Sequence, residues 1–139
     1  MSKLPAALTE LYQAAKAVRE FSYSPYSKCK VGAAIRLSNG KVYSGCNVEN
    51  SSFGATNCAE RVAIQKAVSE NKDIKITDVM VVTDVSPPWP PCGMCRQVIA
   101  EFGPGIQIHA ANLQGESSSL KFEELFPDAF TREHMKLKS

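Results

Sequence analysis

The chain has no long apolar run, no basic run and no internal repeat. No apolar stretch approaches the roughly 20 residues that span a bilayer, so no membrane helix is expected. Sixteen basic residues stand against 14 acidic ones. Neither sign is clustered or interleaved with aromatics, so nothing favours a nucleic-acid or anionic-membrane partner. The first ten residues, Met1 to Glu10, lack the apolar segment of a secretory signal, and a cytoplasmic protein is expected. Low-complexity tracts and linkers are missing too. The 139 residues therefore read as one domain, 1–139, large enough to bury a core without disulfide staples. Cysteine breaks this plainness. Five cysteines without an export signal point to metal-binding or catalytic thiols, not to a disulfide framework.

Leu4, Leu8, Leu11, Ala15 and Val18 recur at helical spacing and predict an amphipathic helix over 5–21, stopped by Pro25. Val31–Leu37 and Val42–Val48 flank Ser38-Asn39-Gly40-Lys41 and read as a hairpin. A second helix is expected from Cys58 to Glu70, burying Val62, Ala63 and Val68. Val79–Val82 is continuously apolar, as in a strand covered on both faces. Four prolines then enforce an extended loop, and a helix follows over Gly93–Phe102 with Gly103 as its cap. Ile106–Ala110 is a further strand. Leu120–Phe122 reads as a last one, before a short helix at Glu123–Leu125 and a polar, loose tail from Thr131. Strand–helix–strand over 79–110 makes a βαβ unit, so the fold class is α/β: a mixed sheet with helices on its faces.

The chemistry concentrates in Cys58-Ala59-Glu60 and Pro91-Cys92-Gly93-Met94-Cys95, both at strand-to-helix junctions. Positions i and i+3 at a helix start face one side, and a helix N-terminus favours thiolate. Three thiolates can hold one zinc ion and leave its fourth position open, and a carboxylate beside it can move the protons of a bound water. Glu60 has a plainer reading: Asn57 as N-cap with Glu60 three residues on is a capping-box pattern. The cysteine pair alone also resembles a redox dithiol, a reading that leaves Cys58 and Glu60 without a role. Three thiolates on Zn²⁺ leave a net negative centre, and Arg61 is the candidate to offset it by donating to the sulfurs. His109 and His134 are read as structural or solvated and Cys46 as a small core residue, none of them as ligands.

Over nearly its whole length the sequence resembles the small, three-cysteine cytidine deaminases. The matching runs are Tyr23-Ser24-Pro25-Tyr26-Ser27-Lys28, Val31-Gly32-Ala33-Ala34, Gly45-Cys46-Asn47-Val48-Glu49-Asn50, Cys58-Ala59-Glu60-Arg61, Pro91-Cys92-Gly93-Met94-Cys95-Arg96-Gln97 and Asn112-Leu113-Gln114-Gly115. The resemblance implies a three-layer α/β/α fold with a mixed five-stranded sheet. It implies zinc-dependent hydrolytic deamination of cytidine and deoxycytidine to uridine and deoxyuridine, with release of ammonia, in pyrimidine salvage. It implies one zinc per subunit on Cys58, Cys92 and Cys95, with Glu60 as the proton-moving catalytic residue and Arg61 bonding ligand sulfurs. The backbone N–H of Ala59 would hold the pyrimidine O2, and Asn47 and Glu49 the ribose 3′-hydroxyl. A homotetramer with shared active sites is implied, Phe130 reaching a neighbour's base.

Two positions depart from that pattern. Cys29 stands where the family commonly has a phenylalanine packed on the pyrimidine, and Phe53 where it often has tyrosine at the ribose end. A lost ring removes apolar and stacking contact of about 1 kcal/mol. Blasticidin-type deaminases share the two cysteine motifs, but Asn47 and Glu49 favour a nucleoside. A polynucleotide deaminase would need a positive channel. A structural zinc module would need a fourth ligand.

Overall fold

The computed structural model describes residues 4–136. Gly40, at φ 88°, adopts the left-handed conformation that glycine reaches without strain, and turns β1 (Gly32–Leu37) into β2 (Val42–Cys46). The two pair antiparallel, with Gly32 opposite Cys46 and Arg36 opposite Val42. On its other edge β1 pairs antiparallel with β3 (Ile76–Thr83), and β3 pairs parallel with β4 (Gln107–Asn112) across α3 (Gly93–Ala100). The expected βαβ unit is thus present. An edge strand β5 (Ser117–Lys121) closes a five-stranded mixed sheet of order β2-β1-β3-β4-β5.

Period-two alternation on these strands feeds two apolar layers. Met80, Val82, Ala34 and Ala111 face α1 (Ala6–Arg19), which contributes Leu11 and Ala15. Val79, Val81, Ile35, Leu37 and Ile108 face the opposite side, against Ala63, Ile64 and Ala67 of α2 (Ala59–Glu70) and Ile99 of α3. Val79 to Val82 are all buried, as a strand sandwiched between helices requires. The result is the three-layer α/β/α arrangement. No helix among the described residues is long and apolar enough to cross a membrane.

Several local expectations are corrected. α1 stops at Arg19, six residues before Pro25, so the proline is not what ends it. β2 ends at Cys46, and Val48 makes only isolated bridges to Tyr23 and Asn57. On α2 the buried stripe is Ala59, Glu60, Ala63, Ile64 and Ala67, whereas Val68 is 48 % exposed, one position round from the sheet. α3 ends at Ala100, with Glu101 as its C-cap in place of Gly103. The last strand is β5, Ser117–Lys121, starting three residues before Leu120, while Phe122 opens the short helix α4 (Phe122–Leu125) and is buried there. Cys46 is half-buried instead of a core residue. Thr131 to Met135 form a hydrogen-bonded turn, His134 N–H donating to Thr131 O (2.9 Å) and Met135 N–H to Arg132 O (3.0 Å).

α2 lies very close to β2. A Cβ on Gly45 would come 2.5 Å from Ala63 N and 2.9 Å from Ala59 O. Glycine at this position lets the helix that carries Cys58 and Glu60 seat directly on the hairpin.

Candidate active site

Two helices begin at the same end of the sheet, and each begins on a cysteine. Cys58 is the N-cap of α2 and Cys92 the N-cap of α3; both have extended backbone, and neither side chain caps its helix. The thiols are therefore free to turn outward. Cys95, three residues past Cys92, is fully buried on the first turn of α3. The structure brings the three sulfurs together, all within 4.8 Å of one another, and the group contains no fourth Cys, His, Asp or Glu among the described residues. Zinc–sulfur bonds near 2.3 Å in a tetrahedron set sulfurs about 3.8 Å apart. The Cys58 and Cys92 sulfurs stand 3.8 Å apart. The donor set fits one Zn²⁺.

Electrostatics at this point favour thiolate on Cys58. Its thiol is pulled down to about 5, chiefly by a hydrogen bond from Cys95, with Arg61 and Cys92 adding to it. Cys95 is pushed upward by the same pairing and by burial. Arg61 Nη2 donates to Cys58 Sγ (3.5 Å) and to Thr56 O (3.2 Å), so the guanidinium lies against the sulfur instead of in solvent. That contact raises the arginine further.

Glu60 is not a capping residue. With Cys58 as N-cap, Glu60 is the second residue of α2, and no capping box forms there. Its carboxyl is 4 % exposed and is raised to about 7, mainly by burial, with the negative charge of Cys58 adding. A buried acid that titrates near neutrality can both take and give protons.

Cys58, Cys92 and Glu60 line a cleft of about 290 Å³. Ala59, Cys29, Asn47, Glu49, Thr83 and Trp89 are among its other lining residues. Asn47 is buried and mostly engaged. Its Oδ1 accepts from Val31 N–H (2.9 Å) and Ser22 Oγ (2.5 Å), and its Nδ2 donates to Cys29 O (2.8 Å). Glu49 Oε1 accepts from Tyr26 N–H (2.9 Å) and Ser27 N–H (3.1 Å), and Oε2 accepts from the Ser27 hydroxyl. The Ser27 hydroxyl holds this carboxyl below the usual carboxylate range. By donor and acceptor count, one amide N–H of Asn47 and one lone-pair site of Glu49 remain, a match for one hydroxyl group.

The remaining candidates fall outside the cleft. Phe53 is 74 % exposed and packs edge-to-face on Tyr26, ring centroids 5.7 Å apart, in an adjoining hollow that shares Ser27, Glu49 and Thr56. Phe130 is not among the residues that line the cleft of its own chain. It is 55 % exposed, stacks on His134, and its carbonyl accepts from Gln97 Nε2 (2.7 Å). His109 is structural: Nδ1 pairs with Ser119 Oγ (2.7 Å) and Nε2 with Asp78 Oδ1 (2.9 Å), away from the sulfurs. Sequence reasoning missed Ser22 and Ser27 as the residues that orient Asn47 and Glu49. No periodicity or spacing signals such a role.

The family model for the cytidine and deoxycytidylate deaminase zinc-binding region matches residues 6–110. The chain belongs to this family. It is 48 % identical over 118 residues to a cytidine deaminase of Halalkalibacterium halodurans, covering 84 % of this chain and 89 % of that one. It is 44 % identical over 128 residues to a cytidine deaminase of Sporosarcina psychrophila, covering 91 % and 93 %. Its fold superposes with a TM-score of 0.82 on the crystal structure of a cytidine deaminase from Burkholderia pseudomallei, at 44 % identity, covering 88 % of this chain and 98 % of that one. A zinc-binding family and a three-cysteine cluster of zinc dimensions point to the same cofactor.

Proposed function

We propose that the chain is a zinc-dependent cytidine deaminase, hydrolysing cytidine and deoxycytidine to uridine and deoxyuridine with release of ammonia, in pyrimidine salvage in the cytoplasm. The observation that carries this reading is the buried carboxyl of Glu60 in one cleft with Cys58 and Cys92, whose sulfurs cluster with that of Cys95 without a fourth protein ligand among the described residues.

Cys58, Cys92 and Cys95 would hold the metal, whose chemistry is Lewis acidity toward a water in the open position. Arg61 donates to Cys58 Sγ and withdraws negative charge from the sulfur set, which preserves that acidity. Glu60 takes a proton from the water, protonates N3 of the base, and helps deliver a proton to the leaving amine. The water oxygen becomes O4, and the C4–N4 bond breaks. A carboxyl raised to about 7 suits both halves of this shuttle. Ala59 is the first residue of α2, so its N–H has no partner within the helix and can donate to the pyrimidine O2. Asn47 and Glu49 offer one donor and one acceptor, which suits the ribose 3′-hydroxyl. Cys29 lines the base end and Phe53 the hollow beside Glu49.

The assembly reading is a homotetramer in which Phe130 completes a neighbour's site. Its exposure and its absence from the lining of its own cleft support this. Purified zinc-loaded protein mixed with cytidine tests the activity. Uridine and ammonia should appear in equal amounts, followed by ultraviolet absorbance and ammonia release. A zinc-loaded sample that forms neither would refute the reading.

A further inference from the structure

We propose that Trp89 is the aromatic surface on which the pyrimidine base stacks; this rests on the nucleoside reading of the cleft. A pyrimidine is flat and presents two π faces, and binding sites for such rings usually meet them with an aromatic side chain. Among the described residues that line the cleft, Trp89 is the one aromatic. Cys29, on the same lining, offers a thiol and no ring. The other two rings near the cleft, Tyr26 and Phe53, lie in the adjoining hollow and are packed on each other.

Trp89 itself is 45 % exposed and has no ring partner among the described residues. Its setting is stiff. Pro87 and Pro88 precede it, and Pro90 and Pro91 follow, each with its φ fixed by the pyrrolidine ring. Three positions further on stands Cys92, the N-cap of α3, with Pro90 also lining the cleft. One rigid segment thus carries both the indole and a sulfur of the metal set, so little freedom is lost when a base docks against it. A half-exposed tryptophan on the lining of a cleft, held by a proline frame and with no ring stacked on it among the described residues, is a surface prepared for a ligand.

Trp89 is the protein's single tryptophan, so its fluorescence reports this contact alone. Uridine, the product, serves as a probe that does not turn over. Uridine should quench the emission of the zinc-loaded protein saturably, over the concentrations at which it inhibits deamination. Trp89→Ala should raise KM for cytidine about tenfold, equivalent to about 1.4 kcal/mol, with kcat within about twofold and zinc content unchanged. Trp89→Phe should recover most of the lost affinity, because a ring is restored. Emission unmoved by inhibitory uridine overturns the proposal, as does an unchanged KM in a zinc-loaded Trp89→Ala protein. In either case persistent turnover by the wild type leaves the deaminase reading standing. A wild type without turnover and without quenching sinks both.

Discussion

Gly45→Ala tests how the fold holds the chemistry. The added Cβ would sit 2.5 Å from Ala63 N, 2.9 Å from Ala59 O and 2.9 Å from Val62 Cβ. Ordinary contact begins near 3.4 Å, so the shortfall is about 0.9 Å at the nitrogen and about 0.5 Å at the other two atoms. Two of these atoms are α2 backbone, which cannot rotate aside. The helix must therefore lift from β2 by a substantial fraction of an ångström, and Cys58 and Glu60 lift with it. Overpacking of this kind costs about 1–3 kcal/mol. For a chain of this size that lowers Tm by roughly 3–10 °C. Misplacement near 1 Å at a reacting centre costs about a hundredfold in rate. Calorimetry and cytidine turnover well below Tm are the assays. Gly32→Ala is the comparison: its Cβ would meet Ala15 O at 2.0 Å and push on α1, which carries neither Cys58 nor Glu60, while the neighbouring Val31 holds Asn47. That variant should lose stability at least as severely, with any effect on activity falling on KM through Asn47 while kcat in the folded fraction stays near wild type. If Gly45→Ala leaves both Tm and kcat unchanged, the seating of α2 on the hairpin does not set the geometry of the site.

Glu60→Gln should keep one zinc per chain and lower kcat by about 10²–10⁴, the usual worth of a positioned proton carrier; unchanged turnover would remove Glu60 from the mechanism. Arg61→Ala should weaken zinc retention or activity about 10–100-fold, measured by competition with a chromogenic chelator, through loss of the Cys58 contact. The Glu49 carboxyl is lowered from 4.5, so the contacts it makes to Ser27 and Tyr26 are fully present above 4.5 and are lost as pH falls through its lower folded value. KM for cytidine should therefore stay flat down to pH 5, and Ser27→Ala should bring its rise to higher pH; identical profiles would contradict this orientation. His109→Leu should cost about 1–3 kcal/mol in urea unfolding, because Asp78 and Ser119 lose their partner, with zinc content unaltered.

Much of this architecture was legible because burial leaves a periodic trace. Val79–Val82 read as a doubly covered strand, and the structure places it between both apolar layers. Cys92 and Cys95 were legible through spacing, since a helix start turns positions i and i+3 to one side, and Cys58 through its place at the start of a second helix. What failed was of another kind. β5 is Ser-Ser-Ser-Leu-Lys, exposed at every position, and it exists because β4 offers a free edge from Gln107 to Ala111. No apolar alternation marks such a strand. Val68 was assigned to the core of α2, yet Ala67 holds that place, because small residues let the helix approach the sheet closely. The capping-box reading of Asn57 and Glu60 failed by one residue: Cys58 takes the N-cap, and the carboxyl is left buried beside the sulfurs. The hydroxyls of Ser22 and Ser27 orient Asn47 and Glu49 from over 20 residues away in the chain, a relation that only the folded structure creates.

The central claim is an open three-sulfur zinc site, and X-ray absorption at the zinc edge of the purified protein reads it directly. The account predicts three sulfur scatterers near 2.3 Å and one lighter oxygen or nitrogen scatterer near 2.0–2.2 Å, with the lighter one perturbed when uridine is added. Four sulfurs, or a spectrum indifferent to uridine, would mean a closed structural site and would contradict it.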